Sequence, residues 1–467
     1  MNTFQEKTQP SHSITNQAVQ LRTYFNSGHT RSLEWRQQQL AGIEQFLKQH
    51  ETDIEQALYQ DMGRPSLEAF TGDIATLRSE LKLARKKLPS WLKPEKVKST
   101  LAVQPGKSYI YREPFGVVLI IAPWNYPIQL SVNPLIGAIA AGNCVVLKPS
   151  ELAPASSKLL ANVLPNFLDK QAIKVIEGGV AETTALLAEK FDYIFYTGNT
   201  TVGRVVMEAA AKHLTPLTLE LGGKSPCIVD KDVDLDLASR RILFGKFFNA
   251  GQTCVAPDYL LVHEDIEEAL LNRLKQTLHA FYGDNPEKSP DFGRIINTRH
   301  HQRLMKILQG SGEIVTGGTA NENQRYIAPT ILRNVTSDSP IMREEIFGPI
   351  LPVLKVKNIE EAIRFINARA KPLALYLFSN NQTLKTKVLT ETSSGGACVN
   401  HTTLQLTVPA LAFGGVGESG MGAYHGKASF ETFTHKKSVL MKPLAFDVPI
   451  IYPPYKKIWK KWLGWLI

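Results

Sequence analysis

Residues 193–212 read YIFYTGNTTVGRVVMEAAAK, which is a short apolar strand pattern, a glycine turn and a helical run. At such a turn, free backbone amides and the positive end of the helix dipole face one point, which favours binding of a pyrophosphate group. The spacing of Gly198 and Gly203 differs from the common dinucleotide fingerprint G-x-G-x-x-G. The stretch therefore predicts an α/β unit, and by itself it leaves open whether a nucleotide binds.

Two apolar runs upstream of this stretch predict further buried strands of a parallel sheet. Residues 116–122 form the first run and lead to Asn125, while residues 143–147 form the second and lead to Lys148 and Glu151. Ligands of open α/β sheets lie beyond the carboxyl ends of the strands. Asn125 is therefore a candidate oxyanion donor, and Lys148 with Glu151 a candidate ribose-binding pair. The alternative for all three is a residue that only shapes a turn.

A carboxylate lies inside the next apolar run, residues 217–221, and two glycines follow it. Burial raises the pKa of a carboxyl group, so Glu220 is a candidate general base near neutral pH. A structural glutamate that binds backbone amides is the alternative. Gly222 and Gly223 favour a functional site, because glycine is used where another group must approach the backbone closely.

A candidate nucleophile lies in residues 245–257, GKFFNAGQTCVAP, where a helical run ends and Gly251 permits a sharp turn that presents Cys254. A thiol has a reference pKa of about 8.5 and needs a base or oriented amides to attack as the thiolate. Glu220 and Asn125 are the candidates for these two roles.

Composition excludes several classes of protein. At 467 residues, with 43% hydrophobic and 21% charged residues, the chain has the profile of a folded soluble enzyme of several domains. The net charge of +10 is spread along the chain without a recognisable nucleic-acid module, so no nucleic-acid partner is expected. Four scattered cysteines without a His cluster predict neither a zinc site nor a disulfide framework. Residues 1–20 lack an apolar signal core, so a cytoplasmic location is expected.

Seven stretches, in order along almost the whole chain, resemble the aldehyde dehydrogenase superfamily, and residues 422–427 look like its class 3 or fatty aldehyde branch. The seven stretches are residues 123–127, 148–151, 197–203, 220–224, 251–254, 344–349 and 413–417. The resemblance implies that Cys254 attacks an aldehyde, that Asn125 and the backbone amide of Cys254 hold the oxyanion, and that Glu220 activates a water molecule.

The resemblance also implies a cofactor, with NAD favoured and NADP possible, because Glu151 repels a 2′-phosphate while Lys148 attracts one. The cofactor-binding residues that it implies are Lys148, Glu151, Thr197, Gly198, Gly203, Glu345 and Phe347. One departure from the branch is His401, which follows Asn400 where an Asp is usual, and it is expected to change the polarity of the substrate entrance.

The predicted architecture is an α/β fold with a Rossmann-like nucleotide-binding domain, an α/β catalytic domain and a small β bridging element. The nucleotide-binding domain takes residues 1–92 and 113–221, the catalytic domain residues 222–429, and the bridging element residues 93–112 and 430–450. Such a bridge implies a homodimer by resemblance.

The tail, residues 451–467, has four lysines on one side of a helical pattern and tryptophans and leucines on the other. It is far shorter than the roughly 20 apolar residues that span a bilayer. An interfacial membrane anchor is one interpretation, and packing against the chain's own subunit or a dimer partner is the other.

The predicted function is oxidation of an aldehyde to the acid with NAD(P), with a medium- or long-chain apolar aldehyde as preferred substrate. A terpenoid or carotenoid aldehyde is the alternative. A cysteine acyltransferase or hydrolase without redox chemistry, and a non-catalytic binding protein, are more remote interpretations.

Overall fold

The computed structural model describes residues 10–447 and 451–455, and residues 456–467 of the predicted amphipathic tail lie outside this part. The helices are α1 Pro10–Asn26, α2 Leu33–Gln49, α3 Glu51–Met62, α4 Ser66–Ala69, α5 Ala75–Trp91, α6 Gln129–Ala141, α7 Pro154–Asn162, α8 Val180–Ala188, α9 Thr200–Ala211, α10 Leu235–Phe247, α11 Glu267–Tyr282, α12 Thr298–Leu308, α13 Ile359–Asn367, α14 Gln382–Glu391 and α15 Gly426–Thr432. Among the described helices, none is long and apolar enough to cross a bilayer.

The strands are β1 Glu95–Val97, β2 Lys107–Pro114, β3 Val117–Ile121, β4 Cys144–Lys148, β5 Ile173–Val175, β6 Tyr193–Thr197, β7 Leu217–Glu220, β8 Pro226–Val229, β9 Tyr259–His263, β10 Glu313–Thr316, β11 Ala320–Asn321, β12 Tyr326–Ile327, β13 Thr330–Arg333, β14 Ile350–Val356, β15 Ala374–Phe378, β16 Gly396–Val399, β17 Gly420–Met421 and β18 Thr434–Met441. The α/β fold class predicted from the sequence is confirmed.

The first large sheet has the order β17-β7-β6-β3-β4-β5, and its strands are parallel except for β17. Strands β3 and β4 are buried along their whole length, as the unbroken apolar runs predict for strands covered on both faces. From β3, the chain continues to β4 and β5 on one side and to β6 and β7 on the other. The crevice between β3 and β6 is therefore the switch point where doubly wound sheets bind ligands.

The second large sheet has the order β10-β13-β14-β9-β8-β15-β16 and is parallel from β13 to β16. Its buried side chains form a core of their own, separate from the core of the first sheet. The chain passes from one core to the other between Leu221 and Cys227. We propose on this basis that the boundary at residues 221 and 222 separates the nucleotide-binding and catalytic domains.

A small antiparallel sheet joins distant parts of the chain, with the order β1-β2-β18. Lys107–Pro114 pairs residue by residue with Thr434–Met441, so that β18 forms an outer edge of this sheet. Strands β1 and β18 lie within the two segments assigned to the bridging element, whereas β2 extends two residues past residue 112, and a role of this sheet in oligomerisation stays a prediction.

Candidate active site

The chain turns sharply between α10 and Cys254. Asn249, Ala250 and Gly251 have φ values of 55°, 51° and 75°, which places three successive residues in the left-handed region. The sequence pointed to Gly251 alone, yet Ala250 also adopts a conformation that costs a residue with a Cβ about 1–2 kcal/mol. Contacts from elsewhere in the fold must therefore hold this turn.

Gln252, which was given no role from the sequence, makes three side-chain hydrogen bonds that hold this turn, two of them to a distant segment. Its buried amide Nε2 donates to the carbonyls of Asn249 at 3.1 Å and Arg294 at 2.9 Å, and its Oε1 accepts the backbone N–H of Ile296 at 2.9 Å. The backbone carbonyl of Gln252 accepts the side-chain Nδ2 of Asn125 at 3.1 Å. The structure thus brings Asn125, at the carboxyl end of β3, next to the loop that carries Cys254.

Cys254 has a partly buried side chain, and burial raises the pKa of its thiol to about 12. The negative charges of Glu345 and then Glu220 add to this rise, while the backbone N–H groups of Cys254 and Val255 oppose it. The resting thiol is therefore protonated at neutral pH. Nucleophilic attack requires a base or a change in the surrounding charges.

Glu220 ends β7, where it lies opposite Thr197 of β6 in the strand register. The residue is 1% exposed, and within the described part of the chain neither carboxylate oxygen has a hydrogen-bond partner. Burial alone raises the pKa of Glu220 well above its ordinary value. A structural glutamate would be paired with donors, so the arrangement favours a group that exchanges protons.

The double glycine after Glu220 makes room for Glu345. A Cβ placed on Gly222 would overlap the carboxylate of Glu345, and Gly223 has a φ of 135°. Burial, and secondarily the charge of Asp258, raise the pKa of Glu345 to about 8, against the effect of the Gly223 N–H. The sequence predicts that the two glycines allow the close approach of another group. At Gly222 that group is the carboxylate of Glu345.

Phe347 has a φ of 51° and packs its ring edge-on against Trp124, with centroids 5.3 Å apart. Trp124 belongs to the turn that follows β3. Phe347 is thereby held at the same end of the first sheet as Asn125. In this position, the ring of Phe347 can pack beside the ring of a ligand bound at this edge of the sheet.

Lys148 and Glu151 form an ion pair at 2.9 Å at the carboxyl end of β4. Lys148 lies opposite Ile121 of β3 in the register, and its side chain is 3% exposed, whereas that of Glu151 is 45% exposed. The pair therefore lies at the same sheet edge as Asn125 and Glu220, one strand beyond the strand that leads to Asn125.

Residues 193–212 form strand β6, a turn and helix α9. Thr197 Oγ1 is buried and has no hydrogen-bond partner among the described residues, and Gly198 follows it. Asn199 caps α9 by accepting the N–H of Val202 at 2.9 Å. Gly203 lies inside α9, where a Cβ would come 2.8 Å from Leu221, so it serves close packing of the helix on the sheet. The unpaired hydroxyl and the helix N-terminus fit a dinucleotide at this edge.

Cys254 lines a cavity of about 760 Å³, which is a typical size for a ligand pocket. Most of its wall is apolar. Its aromatic members are Tyr126, Phe244, Phe248, Phe281, Tyr282, Phe413 and Tyr424, and its aliphatic members include Leu67, Leu130, Val255, Leu404 and Leu406. His401 does not line the cavity: its Nδ1 contacts the backbone of Thr402, and its ring packs against Phe244.

Residues 14–439 match the profile of the Aldehyde dehydrogenase family. Aldehyde dehydrogenase family 3 member B1 of Rattus norvegicus is 50% identical over 457 residues, covering 97% of this chain and 95% of the relative. The dimeric NADP-preferring aldehyde dehydrogenase of Canis lupus familiaris is 52% identical over 435 residues, covering 93% and 96%. The 4,4'-diaponeurosporen-aldehyde dehydrogenase of Staphylococcus aureus is 50% identical over 436 residues, covering 93% and 95%.

Among solved structures, the substrate-bound state of Staphylococcus aureus AldH superposes with a TM-score of 0.95 at 48% identity, covering 97% of this chain and 99% of that one. The fold and the cysteine site define an oxidoreductase that acts on aldehydes. The chain belongs to the Aldehyde dehydrogenase family and is an NAD(P)-dependent aldehyde dehydrogenase. The resemblance to the class 3 branch is confirmed, which favours redox chemistry over a cysteine acyltransferase or hydrolase.

Proposed function

We propose that the enzyme oxidises medium- or long-chain aliphatic aldehydes to carboxylic acids, with Cys254 as the nucleophile. The observation that carries this proposal is the apolar cavity that Cys254 lines. Its walls offer a long alkyl chain burial along most of its length, and each buried methylene contributes about 0.8 kcal/mol. When the alkyl chain is bound along this apolar wall, the polar carbonyl group of the aldehyde lies at Cys254.

The first step forms a bond between Cys254 Sγ and the carbonyl carbon, while the π electrons of the carbonyl move to its oxygen. The thiol proton leaves to water, a transfer that we propose Glu220 assists without being required for it. Asn125 Nδ2 and the backbone N–H of Cys254 are the donors that would stabilise the resulting oxyanion. In the described structure, Asn125 Nδ2 donates to the backbone carbonyl of Gln252, which lies in the same loop as Cys254.

The cofactor supplies a hydride acceptor when it is bound. Glu345 and Phe347 would hold and orient its nicotinamide end, and Thr197, Gly198 and the N-terminus of α9 its pyrophosphate. Lys148 and Glu151 would bind the adenosine ribose. Because Glu151 adds a negative charge beside Lys148, we propose NAD as the favoured cofactor, with NADP also accepted.

The last step releases the acid. After hydride has left the carbon, the substrate is a thioester on Cys254, and a water molecule must attack its carbonyl carbon. Glu220 accepts the proton of that water, the C–S bond breaks, and the sulfur regains a proton. The buried carboxylate of Glu220, which has no hydrogen-bond partner in the described part of the chain, supports this role.

The substrate is tested with straight-chain aldehydes of increasing length, with NAD and separately with NADP, by following absorbance of the reduced cofactor. We expect kcat/KM to rise by up to about fourfold for each added methylene until the cavity is filled, because each buried methylene contributes about 0.8 kcal/mol. A profile that is flat or that falls with chain length would contradict the proposed substrate class.

A polyene aldehyde is the second candidate substrate. The aromatic side chains of the cavity present flat faces to a conjugated chain, and Tyr126 and Phe248 lie nearly parallel, at 12° with centroids 6.4 Å apart. One relative is named for a polyene aldehyde, 4,4'-diaponeurosporen-aldehyde. Weak turnover of every straight-chain aldehyde together with efficient turnover of a polyene aldehyde would favour this candidate.

We further propose a homodimer in the cytoplasm that makes peripheral contact with the membrane through residues 456–467. The name of the canine relative describes it as dimeric. The alternation of lysines with tryptophans and leucines in the tail sequence supports the membrane contact, since such a segment binds at the interface of anionic lipids.

Removal of residues 456–467 tests the membrane contact. The truncated enzyme is expected to bind vesicles of anionic phospholipid more weakly than the full chain, by an order of magnitude or more, because four lysines are lost and each contributes about 1 kcal/mol near such a surface. Co-sedimentation at low and at high salt measures this difference. The same affinity for both forms would rule out the anchor.

A further inference from the structure

The two proposed oxyanion donors come from different domains. Asn125 follows β3 of the first sheet, whereas the backbone N–H of Cys254 belongs to the loop after α10, which packs with the second core. Stabilisation of an oxyanion requires both donors at fixed positions, because a displacement of about 1 Å can lower a rate about 100-fold. Some group must therefore hold the Asn125 turn against the cysteine loop.

Arg64 is placed to hold these two segments together. It lies between α3 and α4, its side chain is completely buried, and its guanidinium group pairs with the equally buried carboxylate of Asp73. From this position Arg64 Nη2 donates to the backbone carbonyl of Asn125, and Nε donates to Asn249 Oδ1 at 3.1 Å. One side chain thus contacts both the turn with the oxyanion donor and the loop with the nucleophile.

The surrounding contacts extend this connection. Asn249 Nδ2 donates to the same carbonyl of Asn125 at 2.9 Å, and Asp73 Oδ1 accepts the backbone N–H of Gln129 at 2.8 Å. The guanidinium carbon of Arg64 lies 4.6 Å from the ring centroid of Tyr126, whose hydroxyl shares a 2.7 Å hydrogen bond with Thr253 Oγ1. Thr253 directly precedes Cys254. Arg64 therefore supports the site through side chains as well as through the backbone.

The geometry suits arginine and not lysine. A guanidinium group is planar and donates in several fixed directions at once, whereas an ammonium group is a point charge. Arg64 uses three directions, toward Asp73, Asn125 and Asn249. A lysine would keep the charge that neutralises Asp73 but could not reach both halves of the site.

We propose that Arg64 is a positioning residue that fixes the distance between the two oxyanion donors. Arg64 is not among the described residues that line the substrate cavity and reaches it only through Tyr126, so its main effect is on the rate of the chemical step. This inference rests on the proposed function, because it presumes that Asn125 and Cys254 act as assigned there.

The test compares Arg64→Lys with Arg36→Lys. Arg36 is a matched control: it is also buried, and it donates to the carbonyls of Thr30, Arg31 and Ala140, away from the site. Three rates are measured for each variant: oxidation of decanal with NAD, hydrolysis of p-nitrophenyl acetate without cofactor, and alkylation of Cys254 by iodoacetamide. The first two develop an oxyanion, and the third does not.

For Arg64→Lys, we expect kcat for oxidation and the rate of ester hydrolysis to fall together, each by about 10- to 100-fold. The alkylation rate and the Kd for NAD are expected to stay within twofold, and Arg36→Lys is expected to keep all three rates. Wild-type oxidation in Arg64→Lys would overturn the proposal. So would an equal fall of all three rates, because that result indicates a general loosening of the cysteine loop.

If Arg64→Lys does not fold, the double variant Arg64→Met with Asp73→Asn takes its place. It removes both buried charges, which proteins often tolerate, and keeps an acceptor for the N–H of Gln129. The same pattern of rates is expected. Cys254→Ser in the same assays separates the two proposals: if it stays active, the assigned nucleophile fails, and if it is inactive while the Arg64 variants are fully active, only the positioning role fails.

Discussion

Cys254→Ser is expected to lower kcat for aldehyde oxidation by about 1,000-fold or more and to leave the Kd for NAD unchanged. A serine hydroxyl is far less acidic than a thiol, and the structure provides no base in hydrogen-bond contact, since both oxygens of Glu220 are without a partner among the described residues. The substitution leaves Lys148 and Glu345, the proposed cofactor-binding residues, in place. Steady-state absorbance of NADH and calorimetric titration with NAD measure the two quantities.

Cys398→Ser is the matched control. Cys398 is likewise a free, partly buried cysteine, but it lies in β16 and does not line the cavity. Its substitution is expected to leave kcat within twofold of wild type. Oxidation by Cys254→Ser at a comparable rate would show that another group forms the covalent intermediate.

Elements with a strong local pattern could be predicted from the sequence with ends correct to within one residue. The apolar runs over residues 116–122 and 143–147 form β3 and β4. Apolar residues at 3- and 4-residue spacings also predict helix over residues 32–84, but the structure breaks this region at His50 and at residues 63–65, and it contains a π-helix, Phe70–Ile74. Apolar periodicity does not distinguish a π-helix from an α-helix over five residues. Asp73 lies in this segment and pairs with Arg64, nine residues earlier in the chain, so a buried ion pair accompanies the irregularity.

The residues proposed to carry chemistry were easier to single out from the sequence than those proposed to hold them in place. Cys254 and Glu220 stand out because a thiol after a glycine turn and a carboxyl group within an apolar strand are not the residue types that such positions usually carry. The left-handed Ala250 cannot be predicted, because only the hydrogen bonds of the folded chain offset its local cost. Arg64 lies 61 residues from Asn125 and 185 from Asn249, and the sequence gives no sign of either contact.

Glu220 is expected to determine the pH dependence of the step that releases the acid. A general base works only when it is deprotonated, and burial holds the pKa of Glu220 well above its ordinary value. Wild-type turnover should therefore rise with increasing pH above the range in which an ordinary glutamate titrates. Steady-state kcat between pH 5.5 and 9.5 checks this direction.

Glu220→Gln is expected to remove that rise and to lower steady-state kcat at alkaline pH by about 100- to 10,000-fold, the usual range for loss of a general base. A first burst of NADH, about one per active site, should remain, because formation of the thioester needs no activated water.

The matched control for this prediction is Glu80→Gln. Glu80 is another buried carboxyl group with a pKa raised by burial, but it only accepts the backbone N–H of Gly426, which a glutamine oxygen can also accept. Its variant should keep the wild-type pH profile. An unchanged profile in Glu220→Gln would remove Glu220 as the base. Loss of the NADH burst in that variant would instead place its proton transfer at the first step, the attack of Cys254 on the aldehyde, because a base needed only for hydrolysis leaves the first turnover intact.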